Sequence, residues 1–461
     1  MTEDLAEADA GENDVTENDV TEKDVTENGV RPKPRSLWRH RDFMLLWTGQ
    51  SVSEIGSSVT WVALPLVAVV LLHASTFQVG LLTAAGTACF LLVALPAGLV
   101  VDRVAKRWLM IWCDLIRLMI IGSVAVAAAF GVLTMAQLFG VALLLGLATV
   151  FFDVAYQSYL PVLVGRDQLH DGNGKIAASQ SFAQVVGPGL GGALFGLLRA
   201  GAMTADAGSF AVSAASLLAI RTPEAKPDRP AVLAKGDDPL STPGAGDRQG
   251  IRSEIFAGLR FVAANPVLRK IAACTGTANL FGNMTGTLEV LFLVRIVHVR
   301  PAEVGLLFSI GSLGGIAGGV LSGRLAKRIG TARIIWFSML VFGAIPILLP
   351  LTAPGWRLIF FPIAGAGLSF AAVVYNIAQV SYRQLICPPQ LLGRMNAAIR
   401  WIVWGTLPLG GLLGGVLGSA SVLGIRPTLW LSVIGSWAAG FWVLFSPLRR
   451  LRDIPADEAA R

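Results

Sequence analysis

Residues Gly98–Arg107 read GLVVDRVAKR, a stretch that ends one long apolar segment and places four charges within six positions before the next. The pattern returns 221 positions later, where Gly319–Arg328 read GVLSGRLAKR. A glycine, an arginine, an alanine and a Lys-Arg pair are identical in the two copies, whereas Asp102 of the first corresponds to Gly323 of the second. We infer that the chain contains two related halves, each with a charged break after its second apolar segment.

The composition around these breaks is that of a membrane protein. Apolar residues make up 54% of the 461 positions and charged residues only 15%, whereas a soluble chain would carry about 25% charge. Apolar runs of about 20 residues recur, which is the length that crosses a bilayer as a helix. Because the bilayer core offers no water to the backbone, such runs must be helical. The sequence therefore predicts an all-α polytopic membrane protein with twelve transmembrane helices in two pseudo-symmetric six-helix bundles.

Twelve apolar spans can be placed along the chain, six in each half. The first six are predicted at 43–72, 77–101, 108–130, 134–159, 176–199 and 203–220, and the second six at 268–294, 303–323, 333–351, 356–381, 396–418 and 427–446. The resulting domains are bundles over 43–220 and 267–448, joined by a cytoplasmic linker over 221–266 with an amphipathic surface helix at 253–264. A disordered acidic tail with a basic collar is expected over 1–42, and a cytoplasmic tail over 449–461.

The positive charges give the predicted orientation. With the N-terminus inside the cell, 31 of the 37 Lys and Arg residues fall in inner segments and five in outer loops. Because cytoplasmic loops retain Lys and Arg, this asymmetry predicts a multi-pass protein of the inner (plasma) membrane with both termini in the cytoplasm. The net charge of +7 is then explained by the Lys and Arg residues of the inner loops, which set the topology. Nucleic acid is not an expected partner.

The sequence lacks the signatures of several enzyme classes. The four cysteines are scattered without metal-ligand spacing, and there is no Walker sequence and no Gly-x-Ser-x-Gly pattern. We therefore predict that the protein is not an enzyme and has no metal site and no cofactor.

Twelve spans in two sixes, a long central loop and the repeated charged stretch resemble the major facilitator superfamily. The stretch Gly98–Arg107 is similar to that family's motif between the second and third spans, with Ala105 where the family usually has Gly. The resemblance covers about residues 40–448. It implies a substrate path between the two halves, which opens to each side of the membrane as one half rocks against the other.

The fifth span carries a second motif. Gly187, Pro188, Gly191 and Gly192 are similar to the core of the antiporter motif in drug exporters of the superfamily, while Ala183 stands where the longer motif has Gly. A proline bends a helix, and small residues let a neighbouring helix approach closely. Ordinary small-residue packing is the alternative interpretation.

One face of the first span carries an ionisable group near the middle of the bilayer, where charge is costly and indicates function. Glu54 lies eleven residues into the span, about 16 Å deep, and shares this face with Gln50, Ser57 and Trp61. In the superfamily the first, fourth, seventh and tenth helices line the cavity, so the resemblance directs this face there. Glu54 is the predicted proton-coupling carboxylate. The alternative is a neutral acid hydrogen-bonded to Ser or Gln neighbours.

The seventh and tenth spans supply the other cavity candidates. These are Asn279, Asn283, Tyr375, Asn376 and Gln379, for which simple helix packing is the alternative. Trp61 and Phe281 are expected stacking surfaces for an amphipathic ligand. Glu289, near the outer mouth, is expected to pair with Arg295 or to contact water.

The resemblance also implies a charge cluster that latches the cytoplasmic helix ends when the transporter faces outward. Asp114 and Arg117 lie three apart in the third span and are expected to neutralise each other. The fourth span holds Asp153 and no Arg, so the family's fourth-span motif, tied to proton coupling in drug antiporters, is missing. The predicted gate and latch residues are Gly98, Asp102, Arg103, Lys106, Arg107, Asp114, Arg117, Asp153, Gly319, Arg324, Lys327, Arg328 and Arg400.

These features together resemble the bacterial macrolide- and siderophore-exporter branch of the superfamily. The expected function is proton-coupled efflux of a drug-like compound, antibiotic or siderophore by alternating access, in a monomer driven by the proton gradient. The expected partners are the lipid bilayer, protons and a small amphipathic substrate. Nutrient import or lysophospholipid flipping by the same fold stays open, as does a non-transporting membrane receptor or scaffold.

Overall fold

The computed structural model describes residues 37–101, 103–164, 168–222, 224, 259–387 and 391–453. Within these residues the regular structure is helical and no strand occurs. The predicted acidic tail, Asp102, most of the central linker and residues 454–461 lie outside the described part of the chain. Residues 259–264, the end of the predicted amphipathic helix, are helical.

Six helices form the first half of the described chain. They are α1 (Arg41–Leu66), α2 (Thr76–Val101), α3 (Lys106–Ala129), α4 (Met135–Val164), α5 (Leu169–Leu198) and α6 (Met203–Ala219). α1 begins after His40, whose Nδ1 accepts a hydrogen bond from the amide of Phe43 at 3.1 Å. This bond satisfies one of the amides that a helix N-terminus leaves unpaired.

Six further helices of eight or more residues form the second half of the described chain. They are α7 (Pro266–Leu291), α8 (Pro301–Ile329), α9 (Arg333–Leu340), α10 (Phe360–Ile386), α11 (Leu392–Leu417) and α12 (Ile425–Ala438). The side chain of Asn265 accepts hydrogen bonds from two amides in the first turn of α7. α9 continues as a 3₁₀ segment, Phe342–Leu351, that contains Pro346 and Pro350, because proline interrupts regular α-helical hydrogen bonding.

The two halves follow one plan. α1 and α7 both run into a π-helical turn, Val67–Leu71 and Phe292–Ile296. Each turn is followed by a histidine with positive φ, His73 at 50° and His298 at 61°. α1 contacts α5 and α6 as α7 contacts α11 and α12, and α2 contacts α4 as α8 contacts α10. The duplication inferred from the repeated charged stretch is therefore present in the fold.

The halves meet along two helix pairs, α2 with α11 and α5 with α8. We call the end of the molecule at Arg103 and Ile220 the inner end, and the end at His73 and His298 the outer end. One hydrophobic cluster of described residues joins both halves at the outer end, including positions 62–74 and 288–304. The clusters nearer the inner end each belong to a single half. The halves are thus packed together at the outer end and separate toward the inner end.

Ten segments of the described chain are long and apolar enough to cross a membrane. One of them, Asp171–Ala219, contains both α5 and α6. α7, which holds Arg269, Lys270 and Glu289, falls outside the ten. The ten segments and α7 together account for the twelve predicted spans, and the all-α fold class is confirmed.

The second copy of the charged stretch differs from its prediction. In the first half α2 ends at Val101 and α3 begins at Lys106, so the stretch is divided between two helices, with Lys106 and Arg107 in the first turn of α3. In the second half α8 continues to Ile329 and ends at Gly330, whose φ is 109°. Basic side chains favour a helix C-terminus, and only glycine adopts this φ easily. The expectation of a second break at 319–328 is therefore wrong.

Candidate functional site

A cavity of ≈ 780 Å³ lies mainly in the second half, with α7, α8, α10 and α11 as its walls. Such a volume accommodates a drug-sized ligand. α1 contributes Trp61. The lining contains six of the predicted cavity residues, namely Trp61, Asn279, Asn283, Tyr375, Asn376 and Gln379.

Two asparagines of the cavity wall join α7 to α11. The side-chain amide of Asn279 donates to the carbonyl of Val403 at 3.3 Å, and that of Asn283 donates to the carbonyl of Leu407 at 2.6 Å. Hydrogen bonds of this kind hold membrane helices together. These two residues therefore serve packing while also lining the cavity.

The polar residues of α10 are arranged differently. The hydroxyl of Tyr375 lies 2.7 Å from that of Thr275 on α7. The amide of Gln379 donates to the side-chain oxygen of Asn376 at 2.9 Å, and Asn376 is exposed. Asn376 thus presents its remaining polar atoms to the cavity.

Three aromatic rings form a chain at the outer part of the cavity. Trp61 packs edge-to-face on Phe308 with ring centroids 5.1 Å apart, and Phe308 packs in the same way on Phe361 at 5.3 Å. Trp61 is 57% exposed and belongs to the first half. Phe281, the other predicted stacking surface, instead packs against Gly435 of α12, so that prediction is wrong.

Glu289 lines the outer part of the same cavity and is only 8% exposed. In the described part of the chain no hydrogen bond or ion pair reaches its carboxylate. Arg295, its expected partner, donates instead to the carbonyl of Ala74 in the first half, at 2.6 Å. The pair with Arg295, one of the two expectations for Glu289, is therefore absent from the described structure, and the arginine joins the two halves at the outer end.

Glu54 and Gln50 line a narrow crevice between α1 and α5 instead of the large cavity, whose described lining also lacks Ser57. Its Oε1 accepts hydrogen bonds from the side-chain amides of Gln50 at 3.0 Å and Gln180 at 3.2 Å. Glu54 is half-buried, as is Ser57 one turn further along the helix. The two amide donors on Oε1 fix the orientation of the Glu54 carboxyl group, and neither donor carries a positive charge.

Asp114 and Arg117 form a buried ion pair in α3. The guanidinium of Arg117 donates to Oδ1 of Asp114 at 2.5 Å, and both residues are buried. The same guanidinium lies over the rings of Phe152, at 4.1 Å from the centroid, and Phe210, at 4.6 Å. The rings compensate the cation for its lost hydration.

Near this pair, Asp153 lies within electrostatic range of charges from both halves. Asp153 on α4 is half-buried and interacts electrostatically with Arg117, Glu54 and Arg400. Arg400 belongs to α11, stacks on Trp404 at 4.6 Å and lines the cavity. Asp153 and Arg400 therefore bring opposite charges toward each other from the two halves.

The first charged stretch is organised around helix ends. The guanidinium of Arg107 donates to the carbonyls of Leu217 and Leu218, both at 2.8 Å, near the end of α6. The carboxylate of Glu224 accepts from the amides of Lys106 at 2.7 Å and Arg107 at 3.2 Å, at the start of α3. These charges suit the ends of the helix dipoles. Arg103 is exposed, and Asp102 lies outside the described residues.

The second charged stretch has different surroundings. Arg324, Lys327 and Arg328 are exposed on the last turns of α8. A Cβ added at Gly319 or at its counterpart Gly98 would meet no atom within 4 Å, so close packing does not require glycine at either position.

The antiporter-like motif packs α5 between two helices. A Cβ added at Gly187 or Gly191 would contact Ser58 or Val59 of α1. At Gly192 it would lie 2.7 Å from the backbone nitrogen of Gly305 in α8. Pro188 stands inside the uninterrupted α5. The motif thus allows close contact between the halves at the outer end.

The structure adds an acid that the sequence reading missed. Asp206 of α6 is 1% exposed, and its carboxylate accepts hydrogen bonds from the hydroxyls of Thr60 at 2.5 Å and Ser209 at 3.1 Å. Gln180, the second donor to Glu54, was also missed. Asp206 could have been found, because it is an acid inside the predicted span 203–220.

The profile of the Major Facilitator Superfamily matches residues 46–407. The chain belongs to this superfamily. Its relatives include the multidrug efflux pump Tap of Mycolicibacterium fortuitum, 26% identical over 413 residues that cover 87% of this chain and 93% of Tap. The enterobactin exporter EntS of Citrobacter koseri is 25% identical over 444 residues, covering 90% and 94%. The protein is thus a multi-pass membrane transporter with efflux pumps among its relatives, and not an enzyme.

Solved structures show the same fold. A point mutant of the nucleoside transporter NupG superposes with a TM-score of 0.68 at 13% identity, covering 87% of this chain and 99% of that one. A bacterial homologue of the lysosomal transporter Spinster, inward-facing and occupied, gives 0.65 at 16% identity, covering 92% and 98%. At these identities the likeness concerns the fold alone.

Proposed function

We propose that the protein exports an amphipathic, drug-like compound, antibiotic or siderophore in exchange for protons. The observation that carries this proposal is the cavity of ≈ 780 Å³ with an exposed indole, Trp61, in its outer part. Apolar and aromatic walls with a few polar groups suit such ligands. The efflux activity named for Tap and EntS supports export over import.

The proposed orientation places the inner end in the cytoplasm. The excess of Lys and Arg in the inner segments supports it. On this orientation the described molecule is closed to the outside, the state in which a pump loads its cargo from the cell. We further propose a monomer with bundles over 43–220 and 267–448, a cytoplasmic linker over 221–266 and cytoplasmic tails over 1–42 and 449–461.

The change to the outward-facing state requires the inner end to close. We propose that Asp153 and Arg400 approach further in that state and form a latch between the halves, with Arg103, Arg107 and Asp102 contributing from the first charged stretch. Opposite charges that meet in only one of two states shift the equilibrium toward it. Loss of one partner leaves the other unpaired and removes that bias.

Accumulation in whole cells tests the direction of transport. A strain that overexpresses the protein is expected to hold less of an exported macrolide, tetracycline or siderophore than the vector control, and to tolerate more of it. The measurement is a screen of internal concentration and susceptibility across these compounds. Higher internal concentrations in the overexpressing strain would reverse the proposed direction.

Proton coupling is tested at Glu54. Glu54→Gln keeps the size of the side chain and removes its titratable proton, so substrate-induced proton movement in proteoliposomes is expected to fall at least about tenfold, since a positioned proton-transfer group typically contributes a factor of about 10²–10⁴. Glu303→Gln, the same change at an exposed acid of α8, is the matched control and should leave proton movement intact. Equal proton movement in wild type and Glu54→Gln would exclude Glu54 from coupling.

The two charged stretches are expected to differ in importance. Asp102→Asn should impair transport more than any single change within 319–328, because the first copy has an acid to pair and the second does not. The exposure of Arg324, Lys327 and Arg328 supports this order. Initial transport rates of the variants, at matched expression, check it, and equal losses in both stretches would contradict it.

A further inference from the structure

Glu289 is a buried acid for which the described chain supplies no partner. It is 8% exposed, lines the cavity and receives no hydrogen bond within the described residues. A carboxylate removed from water needs a counter-charge or donors. Because Glu289 lines the cavity, a cation that enters the cavity can provide that counter-charge.

The other ionisable groups of the cavity lie far from Glu289. The hydrogen bond between Asn279 of α7 and Val403 of α11 shows that these two residues lie at the same height along the helix axes. Glu289 is ten residues outward from Asn279, and Arg400 is three residues inward from Val403. At 1.5 Å per residue the two charges are about 20 Å apart along the helix axes, beyond the range of a screened interaction.

Arg383 and Tyr375 on α10 are also distant. Tyr375 meets Thr275 of α7, fourteen residues inward from Glu289. Arg383 lies eight residues further inward, about 33 Å from Glu289 along the helix axes by the same spacing. Arg295, on the π-helical turn after α7, is bound to the carbonyl of Ala74. The cavity is therefore polarised, with its acid at the outer part and its arginines near the inner mouth.

Aromatic faces accompany the acid at the same level. Phe361 lies at the outer start of α10, and Phe308 lies seven residues into α8 from its outer end. Both line the cavity with Trp61. Aromatic rings attract a cation and pack against an apolar body, so acid and rings suit the two parts of a cationic amphiphile.

We propose that Glu289 is the recognition point for a cationic group of the exported compound, so that the cavity selects amphipathic monocations over anions of the same size. This inference deepens the proposed export and rests on its choice of cavity. It does not depend on the direction of transport or on Glu54.

The test uses two probes of one shape and opposite charge, tetraphenylphosphonium and tetraphenylborate. Equilibrium dialysis of the full chain in lipid nanodiscs, corrected with empty nanodiscs, gives both affinities. Wild type is expected to bind the phosphonium about tenfold more tightly than the borate, the effect of one ion pair in a partly desolvated site. Glu289→Gln should remove most of this preference, and Glu303→Gln should keep it.

The two affinities of the wild-type protein already test whether the cavity prefers a cation, whether or not the variant folds. Equal affinity of wild type for the two probes, or no phosphonium binding, overturns the inference. An unchanged preference in folded Glu289→Gln also overturns it. Failure of the proposed export differs from these outcomes, because the accumulation screen would then show no efflux while the phosphonium still binds through Glu289.

Discussion

Replacing Arg117 by methionine is expected to lower the free energy of unfolding by about 3–5 kcal/mol, the cost of removing one partner from a buried ion pair. The change leaves the carboxylate of Asp114 buried without its cation. It also removes the guanidinium from between the rings of Phe152 and Phe210. Methionine keeps most of the apolar volume, so a cavity contributes little to the loss.

Unfolding titrations in mixed micelles measure this loss of stability. A double-mutant cycle shows how much of the loss comes from the interaction between Asp114 and Arg117. Asp114→Asn combined with Arg117→Met is expected to recover much of the loss, because no buried charge is then left unpaired. Arg357→Met is the matched control, since Arg357 is exposed and also stacks on an aromatic ring, that of Trp356. A loss at Arg117 no larger than at Arg357 would show that the buried pair is not important for stability.

Helical spacing predicted only part of the surroundings of Glu54. Gln50 lies four residues before it on the same helix, and it does donate to the acid. Gln180 lies 126 positions away on α5, and no pattern in one sequence joins those positions. Residues on one helix face are therefore predictable from spacing, whereas partners from another helix depend on packing.

For Glu289, too, the sequence predicted the position along its own helix but not the contacts with other helices. Its depth along the seventh span follows from counting residues, and the structure places it toward the outer end as predicted. Of the two expectations for it, pairing with Arg295 is wrong because the guanidinium reaches Ala74 in the other half. That contact joins the two halves, and the sequence of one span does not show which residues of the other half lie beside it.

The repeated charged stretch predicted the duplication but not the local structure of its second copy. Five identical residues revealed the two halves, and the matching turns after α1 and α7 confirm the common plan. Identity at five positions does not fix backbone angles. The end of α8 is set by Gly330 and by the carbonyl of Arg452, which accepts from the amide of Ala332 at 3.1 Å.

The close contact between α5 and α8 leads to the second large effect. Gly192→Ala is expected to destabilise the outer-closed state by about 1–3 kcal/mol, the usual cost of overpacking a tight contact. The added Cβ would lie 2.7 Å from the nitrogen of Gly305 and 3.0 Å from the carbonyl of Ala302. Both are backbone atoms, so a rotamer change cannot relieve the clash and the helices must separate.

In the proposed alternating-access cycle this cost falls on one conformation only, because α5 and α8 would part at the outer end in the outward-open state. A difference of about 1–3 kcal/mol shifts a two-state equilibrium by about 5- to 150-fold. Spin labels at Val132 and Val422, exposed positions in the loops before α4 and α12, report the distance between the outer ends of the two halves. Gly174→Ala, on the same helix but with no atom within 4 Å of the new Cβ, is the control. Longer distances in Gly192→Ala alone are expected, whereas identical distributions in the two variants would mean that this contact does not hold the outer end closed.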